Sequence, residues 1–245
     1  MRSTHWLLTA VFSGALLLAS CATSPPVSPV PAPEASTGKG AWPGDLQGAK
    51  LYEIDPAASS VHILVYRGGT MAKMGHNHVI SSKTIAGYAW HHKAWERSGF
   101  DIVVPVNELI IDDDTARAME GAEFPLNVND AAKQGTRDNM LSAALLDGAQ
   151  FPFISIKSIS VNGQNDAPQM TVAIRIRDQN RELTVPVALA VGDSTLRAHG
   201  IFEISQTDFG ITPFSVAMGA LQVVDVVKIK FDLLALQIEP QDAAD

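Results

Sequence analysis

The most constraining feature of this sequence is a period of two in its apolar residues, sustained from about residue 61 to residue 233. In the segment 170–176 apolar residues hold the even positions. In the segment 227–233 they hold the odd positions, with lysine and aspartate between them. This is the pattern of β-strands with one buried face and one face in water. Because the connections after residue 150 are short, the sequence predicts a mostly β chain whose antiparallel strands close into a barrel or stack into a sandwich.

Between residues 113 and 147 the pattern changes and predicts one or two short helices. Apolar residues at positions 140, 141, 144 and 145 lie at helical spacing, with Asp138 in the predicted first turn and Gly148 just past the end. The stretch 113–120 is a second candidate helix. We interpret the acidic run 112–114 as the solvated start of that helix, not as a pair of catalytic carboxylates.

Charge and cysteine content disfavour several classes of function. The 245 residues include 18 Lys and Arg against 26 Asp and Glu, a net charge of −8, which disfavours binding to nucleic acid. A single cysteine cannot form an internal disulfide or a multi-cysteine metal site. The sequence contains no glycine-rich phosphate loop and no His-Glu-x-x-His motif, and no spacing in it points to a catalytic triad. We therefore predict a protein that is not an enzyme.

The first twenty residues have the layout of a secretory signal peptide, with Arg2 before an apolar run over 6–18. The only cysteine follows in the phrase Leu-Ala-Ser-Cys21, which resembles the lipobox of bacterial lipoproteins. Cleavage before Cys21 would leave it as an acylated N-terminus, carrying chains such as palmitate, that holds the protein on a membrane. The alternative is an ordinary signal peptide with an incidental cysteine. Ala22, where an aspartate could stand, resembles the sorting signal for the outer membrane, so the predicted location is the periplasmic face of that membrane.

Residues 21–49 are predicted to form a disordered tether that begins at the acylated cysteine. Six of the chain's fourteen prolines lie there, among Ser, Thr, Ala and Gly. Such a segment buries too little apolar surface to offset its loss of conformational entropy, and its prolines keep it extended. The folded domain is predicted to span 50–239, with a short tail over 240–245.

Five short phrases follow one another at strand-length spacing through this domain. They are Leu51–Val61 with its Tyr-Glu-Ile-Asp-Pro core, Thr136–Leu141, Asp147–Pro152, Ile156–Ser158 and Thr207–Ile211. In this order they resemble the YceI-like family over residues 51–237. The resemblance implies a lipocalin-like antiparallel β-barrel of about eight strands with one or two short helices. It also implies that a polyisoprenoid or quinone-type chain is held inside.

The physics of a small barrel is compatible with such a ligand. About eight strands enclose room for one slender molecule, and each buried CH₂ group contributes about 0.8 kcal/mol without polar recognition. The same alternating residues would equally fill a solid core, which would leave a stress or interaction module without a ligand. The candidate lumen residues are Val65, Ile154, Ile156, Val172, Ile174, Ile176, Leu189, Phe202, Ile229 and Phe231.

Histidines provide the alternative interpretation. His76 and His78 stand two residues apart, and His91 and His92 follow a later strand. Imidazoles alone can bind zinc or copper, so these four residues could make a metal-binding or haem-binding lipoprotein on the same barrel. They could instead form structural hydrogen bonds or contact a ligand at the lumen mouth. His62 and His199 are predicted to lie at the surface or edge of strands.

Overall fold

The computed structural model describes residues 46–164 and 166–239. The predicted signal peptide, Cys21, most of the tether and the tail lie outside the described residues. Among the helices that are described, none is both long enough and apolar enough to span a bilayer.

Strands dominate the described residues, and two α-helices interrupt them. The strands are β1 (Ala49–Ile54), β2 (Ser60–Val65), β3 (Arg67–Gly68), β4 (His78–Ser82), β5 (Ala86–His92), β6 (Gly99–Pro105), β7 (Ile110–Ile111), β8 (Phe153–Gln164), β9 (Ala167–Ile176), β10 (Gln179–Pro186), β11 (Ala188–Val191), β12 (Thr195–Ser205), β13 (Ser215–Val216), β14 (Leu221–Val223) and β15 (Val226–Ile238). The α-helices are α1 (Asp114–Glu120) and α2 (Asp130–Leu141). Short 3-10 helices cover Ala72–Met74, Trp95–Arg97, Val106–Glu108, Gln206–Phe209 and Ala217–Gly219.

The sheet is antiparallel throughout and is organised around β15. One edge of β15 pairs with β12, and the other pairs first with β2 and then with β1. From β1 the pairing continues through β5, β6, β8 and β9 to β10. β10 and β11 are separated by Val187 alone, and β11 pairs with β12, which returns the path to β15. The strands thus surround an interior, and the predicted mostly β, antiparallel barrel fold is confirmed.

One side branch of the main sheet and one small separate sheet complete the strand structure. β2 pairs with β4, and β4 pairs with β7. A separate small sheet joins β13, β14 and β3.

The predicted parity of the strands places their apolar residues in this interior. In β9 the even-numbered Val172, Ile174 and Ile176 are buried, while the odd-numbered residues between them are half-exposed. In β15 Val227 and Ile229 are buried, and the lysines between and after them are half-exposed. Burying one aliphatic side chain of this size contributes about 1.5–3 kcal/mol, so a register slip of one residue would be strongly disfavoured.

Helix α2 corrects the helix predicted over 138–147. It begins eight residues earlier, because the side chain of Asn129 accepts a hydrogen bond from the N–H of Ala132 (2.9 Å) and caps the first turn. It ends at Leu141, because the backbone of Ser142 is extended and both its N–H and its hydroxyl donate to the carbonyl of Asn139. Asp138 therefore lies in the last turn. Helix α1 forms where the sequence predicts it.

The prediction that His62 lies at the surface or edge of a strand is wrong, because His62 is buried. His199 is exposed, as predicted. The last residue of α1, Glu120, covers the outer face of β2 at this point. Its carboxylate lies 2.7 Å from Nδ1 of His62 and accepts a hydrogen bond of 2.7 Å from Lys230. Burial raises the pKa of Glu120, but the hydrogen bonds and charges of Lys230 and His62 outweigh it, so that the pKa is lowered overall. This ion cluster fixes α1 to the barrel wall.

Candidate functional site

The interior of the barrel contains two adjoining cavities. The first has a volume of about 150 Å³ and lies among β1, β5, β6, β9 and the β10–β12 strands. The second has a volume of about 270 Å³ and lies between β2, β4, β8, β9 and helix α2. Five apolar side chains belong to the walls of both cavities, which we call the shared wall: Val61, Val104, Ile156, Phe202 and Ile229.

All ten candidate lumen residues lie on these cavity walls. Val172, Leu189 and Phe231 line the first cavity. The second is lined by Val65, Ile154, Ile174 and Ile176. The other three candidates, Ile156, Phe202 and Ile229, belong to the shared wall. The strand parity thus selects residues that face open space, and their binding of a ligand stays a prediction.

Polar side chains are few along the walls and differ between the two cavities. In the first, His91 and Ser98 are the polar side chains, next to the indole of Trp95. In the second they are His78, Thr136, Asn139 and Gln206. Each cavity therefore contains one imidazole in a largely apolar lining.

At the second cavity, His78 is held by a buried carboxylate. Nδ1 of His78 lies 2.6 Å from Oδ2 of Asp112, and Oδ1 of Asp112 accepts hydrogen bonds from the N–H of Val79 (2.9 Å) and from Arg117. Asp112 is completely buried, which corrects its prediction as part of a solvated helix start. The cap of α1 is Asp113, whose side chain accepts from the N–H of Ala116, and Asp112 is thereby left beneath the helix.

Arg117 completes this buried network. Its guanidinium is fully buried and donates to Asp112, to the carbonyl of Asn77 (2.8 Å) and twice to the carbonyl of Pro125 (2.9 and 2.7 Å). It also lies over the ring of Phe124, 5.9 Å from the ring centroid. The charge of Asp112 is thus balanced by a cation that makes four hydrogen bonds of its own.

The network sets the protonation of Asp112. Burial raises the pKa of this carboxyl, but the hydrogen bonds from His78, Val79 and Arg117 outweigh it, so the pKa is lowered overall. A carboxylate with a lowered folded-state pKa stabilises the fold above its unfolded value, and that contribution is lost as the pH falls through the lowered value. The ionised form therefore prevails at neutral pH.

At the first cavity, His91 has a different environment. Its ring packs edge-on against Trp95 with 5.6 Å between centroids. Burial lowers the pKa of His91, and the neighbouring charges of Lys50 and His92 lower it further, which favours the neutral imidazole. Two buried polar atoms nearby in the core, Nε1 of Trp95 and the hydroxyl of Tyr52, lack a hydrogen-bond partner in the described part of the chain.

The two histidine pairs lie at opposite ends of the barrel. His78 pairs with Val65 just beyond the level of Lys228, and His91 pairs with Lys50 just beyond the level of Ile238. At about 3.3 Å per residue along β15, the two levels are roughly 33 Å apart. His76, His78, His91 and His92 therefore cannot share one metal ion. Within 46–164 and 166–239, no three His, Cys, Asp or Glu residues are grouped to hold a metal.

The sequence matches the family of YceI-like domains over residues 52–235, which is most of the chain. The chain belongs to the YceI-like family. The resemblance carried by the five phrases in the sequence is thus confirmed. Among curated proteins, none matches this sequence significantly.

Solved structures share the fold of this YceI-like domain at low sequence identity. The crystal structure of BcnA from Burkholderia cenocepacia has a TM-score of 0.54 and 16% identity, and the match covers 74% of this chain and 98% of BcnA. A polyisoprenoid binding domain from Saccharophagus degradans, implicated in plant cell wall breakdown, has a TM-score of 0.50 and 9% identity. That match covers 76% of this chain and 98% of the domain. At these identities the likeness establishes the fold alone.

Several wall residues of this YceI-like domain escape sequence reasoning. Trp95, Phe209 and Ile211 lie in 3-10 helices or the loops beside them, where no period of two marks an inward face. Met140 lies at the end of α2, and its helical spacing from Ala144 in the sequence indicates burial but not which cavity it faces. Val61 and Val104 do follow the strand parity, and the same signal that selects Ile156 could have found them.

Proposed function

We propose that this protein binds one long apolar chain, of polyisoprenoid or quinone type, inside its barrel and performs no reaction on it. The observation that carries the proposal is the pair of adjoining cavities, whose walls are largely apolar. A site that recognised a compact polar substrate would need several convergent polar groups. A chain of isoprene units needs only continuous apolar contact.

The size of the cavities suits such a chain. Together they fall in the range of small-molecule sites, and a dry cavity of about 150 Å³ is enough to hold a ligand of benzene size. Each CH₂ group moved from water to these walls contributes about 0.8 kcal/mol. A slender ligand that follows both cavities thus gains affinity in proportion to its length.

The relationship to known proteins supports the same conclusion. One solved structure with this fold is described as a polyisoprenoid binding domain. The polar wall residues are spread between two ends of the barrel, an arrangement that suits orientation of a ligand better than acid–base catalysis. We therefore propose a binding protein, and no observation in the structure favours the metal or haem alternative.

The decisive experiment is native mass spectrometry of the purified protein, before and after removal of lipid and addition of geranylgeraniol as a probe. We expect one added mass of a chain-like lipid in the purified protein, and uptake of one probe molecule after its removal. A mass shift that matches a metal ion or haem would support the alternative. No uptake of the probe, with no copurified lipid, would contradict the proposal and leave an interaction module.

We further propose that Cys21 anchors the protein in the outer membrane on its periplasmic side. This rests on the lipobox-like phrase at residues 18–21 and on Ala22. In a bacterial host with two membranes, Cys21→Ser should move the protein from the membrane fraction to the soluble periplasm. The substitution removes the acylated residue, and stable anchoring needs two or more acyl chains. Fractionation and immunoblotting measure this.

The matched control for the anchor is Ala22→Asp, which keeps the acylated cysteine. This variant should stay in the membrane fraction and change only the membrane it occupies. If Cys21→Ser remains membrane-bound to the same extent as the wild type, the anchor lies elsewhere.

A further inference from the structure

The imidazole of His78 is a fixed hydrogen-bonding group on the wall of the second cavity. It begins strand β4, next to Val65 of β2, and both side chains line this cavity. Its Nδ1 is bound to Asp112 at 2.6 Å, so Nε2 is the ring nitrogen that is left for the cavity. In the described part of the chain, no protein group is bonded to Nε2.

The residues behind His78 are arranged to hold this ring still. Asp112 is completely buried and has a positive φ of 53°, a left-handed conformation that aspartate tolerates better than most residues other than glycine. Its backbone N–H donates to the carbonyl of Val79 (2.8 Å), and its carboxylate accepts from the N–H of the same residue (2.9 Å). The carboxylate and the ring are therefore fixed to the start of β4 as one unit.

Charge balance decides which role Nε2 has. The negative charge of Asp112 is already compensated by the buried guanidinium of Arg117. In the neutral ring, Nδ1 carries the proton that is donated to Asp112, and Nε2 presents a lone pair. The cavity is thus offered a hydrogen-bond acceptor at this point.

Two other polar side chains on this wall have no hydrogen-bond donor left for a ligand, because their donors are already bonded within the protein. The hydroxyl of Thr136 donates to the carbonyl of Ala132 (2.9 Å), and the side-chain N–H₂ of Gln206 donates to the carbonyls of Val224 and Asp225. Their remaining capacity is to accept. Asn139 has both a donor and an acceptor and does not discriminate. A ligand end that donates a hydrogen bond fits this set better than one that only accepts.

From this geometry we infer that the second cavity selects apolar chains that end in a hydroxyl group, such as a prenol or a phenol, with the hydroxyl donating to Nε2 of His78. This inference rests on the proposed function, because it assigns a head-group position to the chain held in the barrel. An ether end, a hydrocarbon end or a carbonyl end such as that of a quinone would leave the Nε2 lone pair desolvated and unpaired, so of the two proposed ligand types this site favours the prenol. A site built to bond a hydroxyl rejects analogues that lack it.

The test compares three probes with the same carbon chain: geranylgeraniol, its methyl ether and the parent hydrocarbon. The delipidated wild-type protein should bind the alcohol at least tenfold more tightly than either of the others. His78→Phe should bind all three with similar affinity. His199→Phe is the matched control, since His199 is exposed on β12 and lines neither cavity, and it should keep the preference for the alcohol. His91→Phe tests whether the hydroxyl end lies in the first cavity instead.

Each outcome has a separate meaning. If the wild type binds all three probes equally, the head-group assignment is overturned while the proposed function stands. If it binds none, the proposed function itself fails. If the preference disappears in His91→Phe and persists in His78→Phe, the hydroxyl end lies in the first cavity and the inference is wrong. Should His78→Phe not fold, the ¹⁵N shift of Nε2 in the wild-type protein decides, because only the alcohol should change it.

Discussion

Replacing Arg117 with Met is expected to lower the free energy of unfolding by about 3–5 kcal/mol. Arg117 and Asp112 are both fully buried, and the guanidinium is the cation that compensates this carboxylate. Methionine fills a similar volume but leaves a buried negative charge that keeps only His78 and the N–H of Val79 as partners. It also leaves the carbonyls of Asn77 and Pro125 without their donors. Urea unfolding followed by circular dichroism measures the change.

The matched control is Arg197→Met. Arg197 also forms an ion pair with an aspartate, Asp232, through two hydrogen bonds of 2.7 Å, but both side chains are substantially exposed. Pairs of this kind contribute about 0–1 kcal/mol, so this variant should unfold close to the wild type. Equal losses of stability in the two variants would mean that the buried network around Asp112 has no special structural role.

Replacing Ile229 with Trp is expected to block ligand binding with little loss of stability. Ile229 belongs to the shared wall, so a larger side chain there extends into open space in a protein without ligand. If the indole denies a bound chain the contact of about three CH₂ groups, affinity falls by ~2.4 kcal/mol, roughly fiftyfold in Kd. In a filled core the same change would cost about 1–3 kcal/mol of stability through overpacking.

The control for this variant is Ile201→Trp. Ile201 lies on β12 beside Phe202 of the shared wall, but its side chain is 53% exposed on the outer face. The Ile201→Trp variant should bind the geranylgeraniol probe as the wild type does and should have the same melting temperature. The cavity interpretation fails if delipidated Ile229→Trp is strongly destabilised and the wild-type protein takes up no lipid. Calorimetry and probe titration together separate these results.

The strands and their inward faces could be predicted from the sequence because they depend on a local signal. In β9 and β15, the alternation of apolar and polar side chains fixes which residues face the interior, whatever the partner strand is. This is why Val172 and Ile229 lie where parity places them. The pairing of β15 with three strands is a different matter, since it depends on contacts between residues that lie far apart in sequence.

The Asp112 network could not be predicted, because it depends on burial. Three aspartates in a row look alike in sequence, but only Asp112 lies beneath α1. Asp113 caps the helix, and the largely exposed Asp114 forms an ion pair with Lys133. The same holds for His62, whose burial is caused by Glu120 at the far end of α1. The sequence places the end of α2 too late for a related reason. Leu145 packs against the core from a turn, so the apolar spacing typical of a helix continues in the sequence beyond the residue where α2 ends.

The shared wall has a consequence for how long a ligand stays bound. If the proposed ligand lies in both cavities, its exit would break its contacts with side chains such as Phe202 and Ile229 one group after another. At ~0.8 kcal/mol for each CH₂ group, every added group in contact with the walls slows dissociation about fourfold. The residence time of the ligand would then be set by the length of its chain. On this basis, short chains would exchange quickly and long chains slowly.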